Sequence, residues 1–169
     1  LLGARILSRT YGSDDLGGGG GGSARSSAKA AREELACRSA FFRRYIGNPE
    51  WERQTQRAMI QARSTPNRGL LGQNPADGSE YAFFSGYFMS KMVVRNTFTS
   101  RNEVGVNTGM FGGVGLRDAI LFHTHQSSSP GTVGHLSNPD IRWANGTGIP
   151  IVAQTKDGKR YCYAPQRRK

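Results

Sequence analysis

The chain has 169 residues, of which 36% are hydrophobic, and carries a formal net charge of +11. This length allows one domain with a core plus an extension. No apolar run approaches the roughly 18–20 residues of a membrane-spanning helix, so we expect a soluble protein without stable membrane insertion. Two cysteines, Cys37 and Cys162, are too few for a Cys-rich zinc module or a disulfide-stapled scaffold. Each is expected to be a small buried apolar residue.

The positive charge is spread along the whole chain. Residues 1–79 carry 12 basic and 7 acidic side chains, and residues 80–169 carry 11 and 5. A basic surface attracts nucleic acid or anionic membrane without specificity, so the charge alone does not choose a partner. The sequence begins Leu1-Leu2-Gly3 and lacks the zones of a signal peptide. We therefore expect a fragment of a longer protein or a processed product.

The first part of the chain is predicted to be a flexible Gly-rich linker over residues 1–23. Its six consecutive glycines, Gly17 to Gly22, gain too little from packing to offset their backbone entropy. Residues 24–79 are predicted to form a helical extension, and near-helical apolar spacing predicts its first helix over 24–46.

A second helix of this extension is predicted to begin at Asn48-Pro49-Glu50, which offers a cap, a proline for the first turn and an acid near the positive helix end. We expect it to run to about Arg63. Residues 64–79 are rich in Gly, Pro and Asn and predict a loop.

The amino-acid composition changes at Glu80. Residues 80–166 are predicted to form a separate α/β (α+β) domain, followed by the basic tail 167–169. Two strands are expected between Glu80 and Thr99, split near Met89-Ser90-Lys91. A loop over residues 100–116 then leads to a buried strand. The remaining predicted elements are the strand at Ala119–Phe122, a helix starting over Asp140–Ala144, a strand at Ile149–Ala153, a turn at Lys156–Lys159 and a return strand at Arg160–Tyr163.

Two histidines, His123 and His125, flank Thr124 at the end of the apolar strand. Because strand side chains alternate faces, both imidazoles point the same way and can share a metal ion. The alternative is that they are two polar residues where a strand leaves the core.

A possible third ligand, Asp140, lies in the segment Ser137-Asn138-Pro139-Asp140. Helix capping alone explains Ser137 as an N-cap and Asp140 in the first turn, with Leu136 and Ile141 as a hydrophobic staple. A helix that starts soon after the His-Thr-His strand can also aim this carboxylate at the histidines. Three ligands with a fourth position for water form the layout of a catalytic zinc site.

These motifs resemble the JAMM (JAB/MPN) metallopeptidase fold, and residues 80–166 look closest to the JAB-like domains at the C-terminal ends of bacterial polymorphic toxins. The resemblance implies a small mixed sheet with flanking helices, here preceded by the helical N-terminal segment. It implies that His123, His125 and Asp140 bind Zn²⁺, that Ser137 stabilises an oxyanion, and that a glutamate on an earlier strand transfers protons. Glu80, before the His-Thr-His strand, is preferred for that role over Glu103, which lies in a Gly- and Asn-rich stretch.

This chain departs from the family pattern in one loop. Eleven residues, Gln126 to Leu136, separate His125 from Ser137, where the family usually has seven. Gln126 also replaces a proline that often follows the second histidine. His135 lies in this longer loop, where a substitute ligand, a proton shuttle and a solvated side chain all remain open.

The resemblance implies hydrolysis of an amide, peptide or isopeptide bond by the effector domain of a secreted bacterial toxin that acts in the cytoplasm of a target cell. Its expected partners are a protein substrate, which a ubiquitin-like, host or competitor protein would supply, and an immunity protein or the parent toxin. Two alternatives stay open: a basic nuclease toxin acting on nucleic acid, and a metal-free binding module. A zinc deaminase is disfavoured because its HxE and PCxxC motifs are absent.

Overall fold

The computed structural model describes residues 4–7, 22–66, 78–99, 105–108, 115–126 and 135–165. The helices are α1 (Gly22–Ala36), α2 (Ala40–Arg43), α3 (Pro49–Ser64) and α4 (Asn138–Thr147). The strands are β1 (Ala4–Leu7), β2 (Tyr81–Phe88), β3 (Lys91–Thr99), β4 (Gly105–Thr108), β5 (Arg117–His125), β6 (Ile151–Thr155) and β7 (Arg160–Tyr163). No helix in the described ranges is both long and apolar enough to cross a membrane.

The fold is mixed α/β and is built on a five-stranded sheet in the order β3-β2-β5-β6-β7. Strands β5 and β6 are parallel, and the other neighbouring pairs in this sheet are antiparallel. A parallel pair needs a crossover connection, and α4 lies within it. Because α4 must run back against the strand direction, its first turn lies near the C-terminal end of β5.

Both faces of the sheet are covered by helices. On one face, α2 and α3 contribute to an apolar cluster of Phe42, Tyr45, Trp51, Ala58, Phe83, Ile120, Phe122, Val152 and Cys162. On the other face, α4 contributes to a cluster of Ala82, Phe84, Leu121, Leu136, Trp143, Ala144, Ile151, Ala153 and Tyr161. The helices predicted as an extension therefore form a layer of the same fold as the sheet, because their apolar side chains share its core.

Two local predictions are confirmed in detail. Helix α3 begins after Asn48, whose Oδ1 accepts hydrogen bonds from the backbone N–H groups of Glu50 and Trp51 at 3.0 and 3.3 Å. The hairpin between β2 and β3 turns at Met89 and Ser90, which have φ values of 47° and 63°. Positive φ at both positions matches the right-handed twist of the paired strands.

Three other segments differ from the predictions. The helix expected over 24–46 is divided into α1 and α2. Within the predicted linker, Ala4–Leu7 forms β1, which pairs antiparallel with β4 inside the predicted loop 100–116. The pairing depends on backbone hydrogen bonds between distant segments, which local composition does not reveal. The six glycines lie outside the described residues, except that Gly22 begins α1.

The two cysteines form a disulfide bond, which the sequence analysis did not predict. Cys37 and Cys162 are 125 residues apart in sequence, yet their Cα atoms lie 5.0 Å apart. Cys162 is buried, as expected, but the expectation of two separate cysteines is wrong. The two cysteines pair because α1 ends beside β7. The number and spacing of cysteines do not encode this long-range contact. The bond joins the helical layer to the edge of the sheet.

The start of β2 depends on a glycine against α3. Gly78 has a φ of +84°, and a Cβ added there would lie 2.0 Å from the backbone oxygen of Ala62. The next residue, Ser79, donates its backbone N–H to the same oxygen at 2.9 Å. Only glycine permits this close approach, which sets where Glu80 enters the sheet.

Replacing Gly78 by alanine should lower the free energy of unfolding by about 2 kcal/mol or more, because both its φ and the Ala62 contact oppose a Cβ. Gly146→Ala is the matched control, since a Cβ on this residue of α4 meets no atom within 4 Å. That change should be neutral or stabilise by up to about 1 kcal/mol. Urea unfolding measures both, and equal stability of Gly78→Ala and wild type would contradict the packing described.

Replacing both cysteines, Cys37→Ser together with Cys162→Ser, should lower the free energy of unfolding by about 2–5 kcal/mol, because the bond closes a long loop in the unfolded chain. Wild type treated with a thiol reductant should show the same loss in urea unfolding. Thiol titration of unreduced, denatured protein provides the control and should find no free thiol. Two free thiols per chain would contradict the bond.

Candidate metal centre

His123 and His125 end strand β5 and point to the face of the sheet that α4 covers. Their Nε2 atoms lie 2.8 Å apart. Thr124 points to the opposite face, where its hydroxyl accepts a hydrogen bond from the backbone N–H of Tyr81 at 3.0 Å. The alternation predicted for the His-Thr-His segment is thus confirmed, and two imidazoles share one buried face.

Asp140 is held by a capping box in the first turn of α4. The backbone N–H and the hydroxyl of Ser137 both donate to Asp140 Oδ2, at 2.7 and 2.8 Å, and the Asp140 N–H donates to Ser137 Oγ at 3.3 Å. Leu136 is fully buried before this cap, and Ile141 packs against the same cluster. The predicted capping is confirmed, and it accounts for only one of the two carboxylate oxygens.

The three side chains meet in the interior. Asp140 Oδ1 lies 3.6 Å from His123 Nε2, and Asp140 Oδ2 lies 3.6 Å from His125 Nε2. The side chains of His123 and Asp140 are 0% exposed and that of His125 is 6% exposed. Atoms bound to one tetrahedral zinc ion at about 2.0–2.1 Å would be ~3.3 Å apart. The two Nε2 atoms lie closer together than that, and each lies 3.6 Å from a different oxygen of Asp140.

One oxygen in this group has no hydrogen-bond donor within the part of the chain that the structure describes. It is Asp140 Oδ1, a fully buried atom. Burying a charged oxygen without a partner is costly, and a cation at this position would satisfy it. The three ligand atoms lie within 4.8 Å of one another, so His123, His125 and Asp140 could hold a metal ion.

Burial and the neighbouring side chains act in opposite directions on the pKa values of this group. Burial acts to raise the pKa of Asp140, but His123 and His125 beside it outweigh that effect and hold the pKa well below its usual range. Burial lowers the pKa of His123, against the opposing effect of Asp140. An ionised carboxylate and a neutral imidazole are the forms that coordinate metals.

Glu80 enters the sheet next to this group. It is fully buried and directly precedes β2. Ala82 pairs with His123 across the antiparallel ladder. If the alternation of β2 is continued by one residue, the side chain of Glu80 is expected on the same face as Ala82 and His123. The rival candidate, Glu103, lies outside the described residues.

Ser137 and His135 make contacts that bear on their expected roles. The Ser137 hydroxyl donates to Asp140 Oδ2, so the same proton is not available to an oxyanion unless the hydroxyl turns. His135 lies outside the three-residue group and contacts α1 instead, with its Nε2 3.2 Å from Ser26 Oγ. Of the alternatives for His135, neither a solvated side chain nor a ligand of this group matches that contact.

Sequence reasoning missed two residues of α1 beside the site. Glu33 is 6% exposed, and its Oε2 accepts the backbone N–H of Leu136 at 2.9 Å. Burial raises its pKa to about 7, although the hydrogen bond from Leu136 and the charge of Lys29 act to lower it. A Lys and a Glu four residues apart on an Ala-rich helix predict an exposed ion pair, so the sequence contained no local signal of this contact.

The chain matches no protein-family model, no curated protein and no solved structure. What the site can do therefore rests on its own geometry.

Proposed function

We propose that the protein is a zinc-dependent hydrolase of the JAMM type that cleaves an amide, peptide or isopeptide bond. The observation that carries this proposal is the buried group of His123, His125 and Asp140, which brings two imidazoles and one carboxylate together. Three protein ligands of these types leave a position for water or substrate, as in catalytic zinc sites. Removal of a side-chain amide as ammonia belongs to the same class of chemistry.

Zinc is the metal that we propose for the centre. Two nitrogen ligands with one oxygen ligand suit Zn²⁺, whereas Mg²⁺ and Ca²⁺ prefer shells made only of oxygen. Redox-active iron also binds two histidines and one carboxylate. A hydrolase needs no redox chemistry, and the metal content of the purified protein distinguishes the two ions.

The arrangement of the strands supports a JAB/MPN-like fold as the finer description. A glutamate precedes β2, β2 pairs with the histidine-bearing β5, and α4 follows with its Ser-x-x-Asp start. The β6–β7 hairpin completes the order that the resemblance implies. The helical layer of α2 and α3 on the other face adds core to the sheet without contributing to the metal group.

Each polar side chain of the site has a proposed part in hydrolysis. His123, His125 and Asp140 would hold the zinc ion, which would supply Lewis-acid polarisation of the scissile carbonyl and activation of a water. Glu80 accepts a proton from the attacking water and returns it to the leaving amine. Ser137 turns from Asp140 to donate a hydrogen bond to the oxyanion. Asp140 stays ionised, and its Oδ2 stays bound to the backbone N–H of Ser137.

The biological setting is proposed from the resemblance. The domain would be the C-terminal effector of a secreted bacterial toxin that acts on a protein in the target cell, with an immunity protein or the parent toxin as a binding partner. The Cys37–Cys162 disulfide supports passage through an oxidising compartment, where such bonds form and persist.

We predict that His123→Ala, His125→Ala and Asp140→Ala each lose about one equivalent of bound zinc, because removal of one of three protein ligands should cost several kcal/mol of metal affinity. Elemental analysis of protein dialysed against a weak chelator measures the loss, and circular dichroism checks the fold. The matched control is Asp157→Ala, which removes an exposed carboxylate in the turn between β6 and β7 and should keep the metal. Wild type that binds no zinc, or three ligand variants that retain it, would show that this is not the centre.

We also predict that Glu80→Gln keeps the zinc and loses the activity. Glutamine has nearly the shape of glutamate and suits the same buried position, but it cannot accept a proton, and general acid–base groups contribute ~10²–10⁴-fold in rate. Toxicity on expression inside bacteria is the readout, and Glu103→Gln is the comparison. If the Glu80→Gln protein is toxic and the Glu103→Gln protein is harmless, Glu103 rather than Glu80 is the residue that transfers protons. Full toxicity of both would argue against hydrolysis, and incubation with RNA and DNA would then test a nuclease.

A further inference from the structure

Two side chains of helix α1 bind the backbone of Leu136, the residue before the turn that carries Asp140. Lys29 Nζ donates to the backbone oxygen of Leu136 at 2.8 Å. Glu33 Oε2 accepts the backbone N–H of the same residue at 2.9 Å. Two side chains one helical turn apart therefore bind both backbone polar groups of Leu136.

This contact is directly linked to the metal ligand on α4. Leu136 is followed by Ser137, whose backbone N–H donates to Asp140 Oδ2 at 2.7 Å. A shift of the Leu136 peptide would therefore move the Ser137 N–H and turn the carboxylate that it holds. The position of Asp140 relative to the two histidines depends on where this peptide lies.

Burying the carboxylate of Glu33 costs free energy, and the carboxylate spends its hydrogen-bonding capacity on the backbone of Leu136. The contact therefore fixes the position of this peptide. Burial works against its ionisation, and Lys29 Nζ lies 3.8 Å from its Oε1. Most exposed ion pairs on helices contribute only a few tenths of a kcal/mol. Here, both partners point inward, onto one peptide.

The helix that carries Lys29 and Glu33 is itself anchored. Ala30 packs against the cluster beneath α4, and the disulfide from Cys37 to Cys162 ties the residue after α1 to β7. Because α1 is fixed to the sheet at its end, Lys29 and Glu33 can transmit the position of the sheet to the Leu136 peptide.

We infer that Lys29 and Glu33 are positioning residues that set the metal affinity of the centre by fixing the Leu136–Ser137 segment against α1. This inference rests on the proposed metal-binding function. It assigns a role at the site to a helix that contributes none of the three ligands. A merely structural contact would change the stability of the protein but leave the zinc affinity of the folded molecule unchanged.

The test measures the zinc dissociation constant by competition with a chromogenic chelator, and the absorption spectrum of the Co²⁺-loaded protein. Glu33→Ala should weaken zinc binding by about 10-fold, the low end of losses seen when groups supporting metal ligands are removed. It should also change the Co²⁺ bands. Glu33→Gln should restore near wild-type affinity, because its amide oxygen can still accept the Leu136 N–H. The matched control is Glu34→Ala, an exposed acid on the same helix, which should match wild type.

A second variant keeps the inference testable if Glu33→Ala does not fold. Lys29→Met keeps the aliphatic chain and removes the ammonium that donates to the Leu136 oxygen and lies 3.8 Å from Glu33 Oε1. It should also weaken zinc binding, with near-ultraviolet circular dichroism unchanged. Wild-type zinc affinity and Co²⁺ bands in whichever of Glu33→Ala and Lys29→Met folds would overturn the inference while leaving the metal centre in place. Absence of zinc binding by wild type would instead overturn the proposed function, and the positioning role with it.

Discussion

The candidate centre depends on the capping box at the start of α4. The topology brings this turn near the C-terminal end of β5, because a helix that connects two parallel strands runs back along the sheet. Within the turn, Ser137 binds Asp140 Oδ2 twice, through its backbone N–H and its hydroxyl, which leaves Oδ1 facing His123. A common N-terminal cap of a helix thus also orients a carboxylate, and Ser137 and Asp140 contribute to both the fold and the candidate site.

Burial gives this arrangement its chemical character. Two imidazoles and a carboxylate are buried on the face of the sheet that also carries an apolar cluster. Among the described residues, Asp140 Oδ1 lacks a hydrogen-bond donor. Burial of an uncompensated polar group costs several kcal/mol. Coordination to a cation would offset that cost and couple metal binding to folding. Glu80, which we propose transfers protons, is also fully buried and directly precedes β2, so bulk water is largely excluded from it as well.

Local patterns were enough to predict the three residues of the buried group. Contacts between distant segments could not be predicted from such patterns. Alternation along a strand placed His123 and His125 on one face, and the Ser-x-x-Asp spacing predicted the cap that holds Asp140. The contacts of α1 could not be predicted in this way. The disulfide joins Cys37 and Cys162, which are 125 positions apart, and the hydrogen bond joins Glu33 and Leu136, which are 103 positions apart. Each contact depends on how the helices pack around the sheet. The β1–β4 pairing was missed for the same reason, since it joins distant segments, such as Ala4 with Thr108.

We propose that His123, His125 and Asp140 bind one zinc ion together, and X-ray absorption spectroscopy of the zinc-loaded protein tests this most directly. The account predicts a shell of nitrogen and oxygen atoms at about 2.0–2.1 Å, with the outer-shell scattering of two imidazole rings and no sulfur. In His125→Ala, the imidazole scattering should fall to one ring in any zinc that remains bound. A shell without imidazole scattering, or one that contains sulfur at about 2.3 Å, would contradict the account.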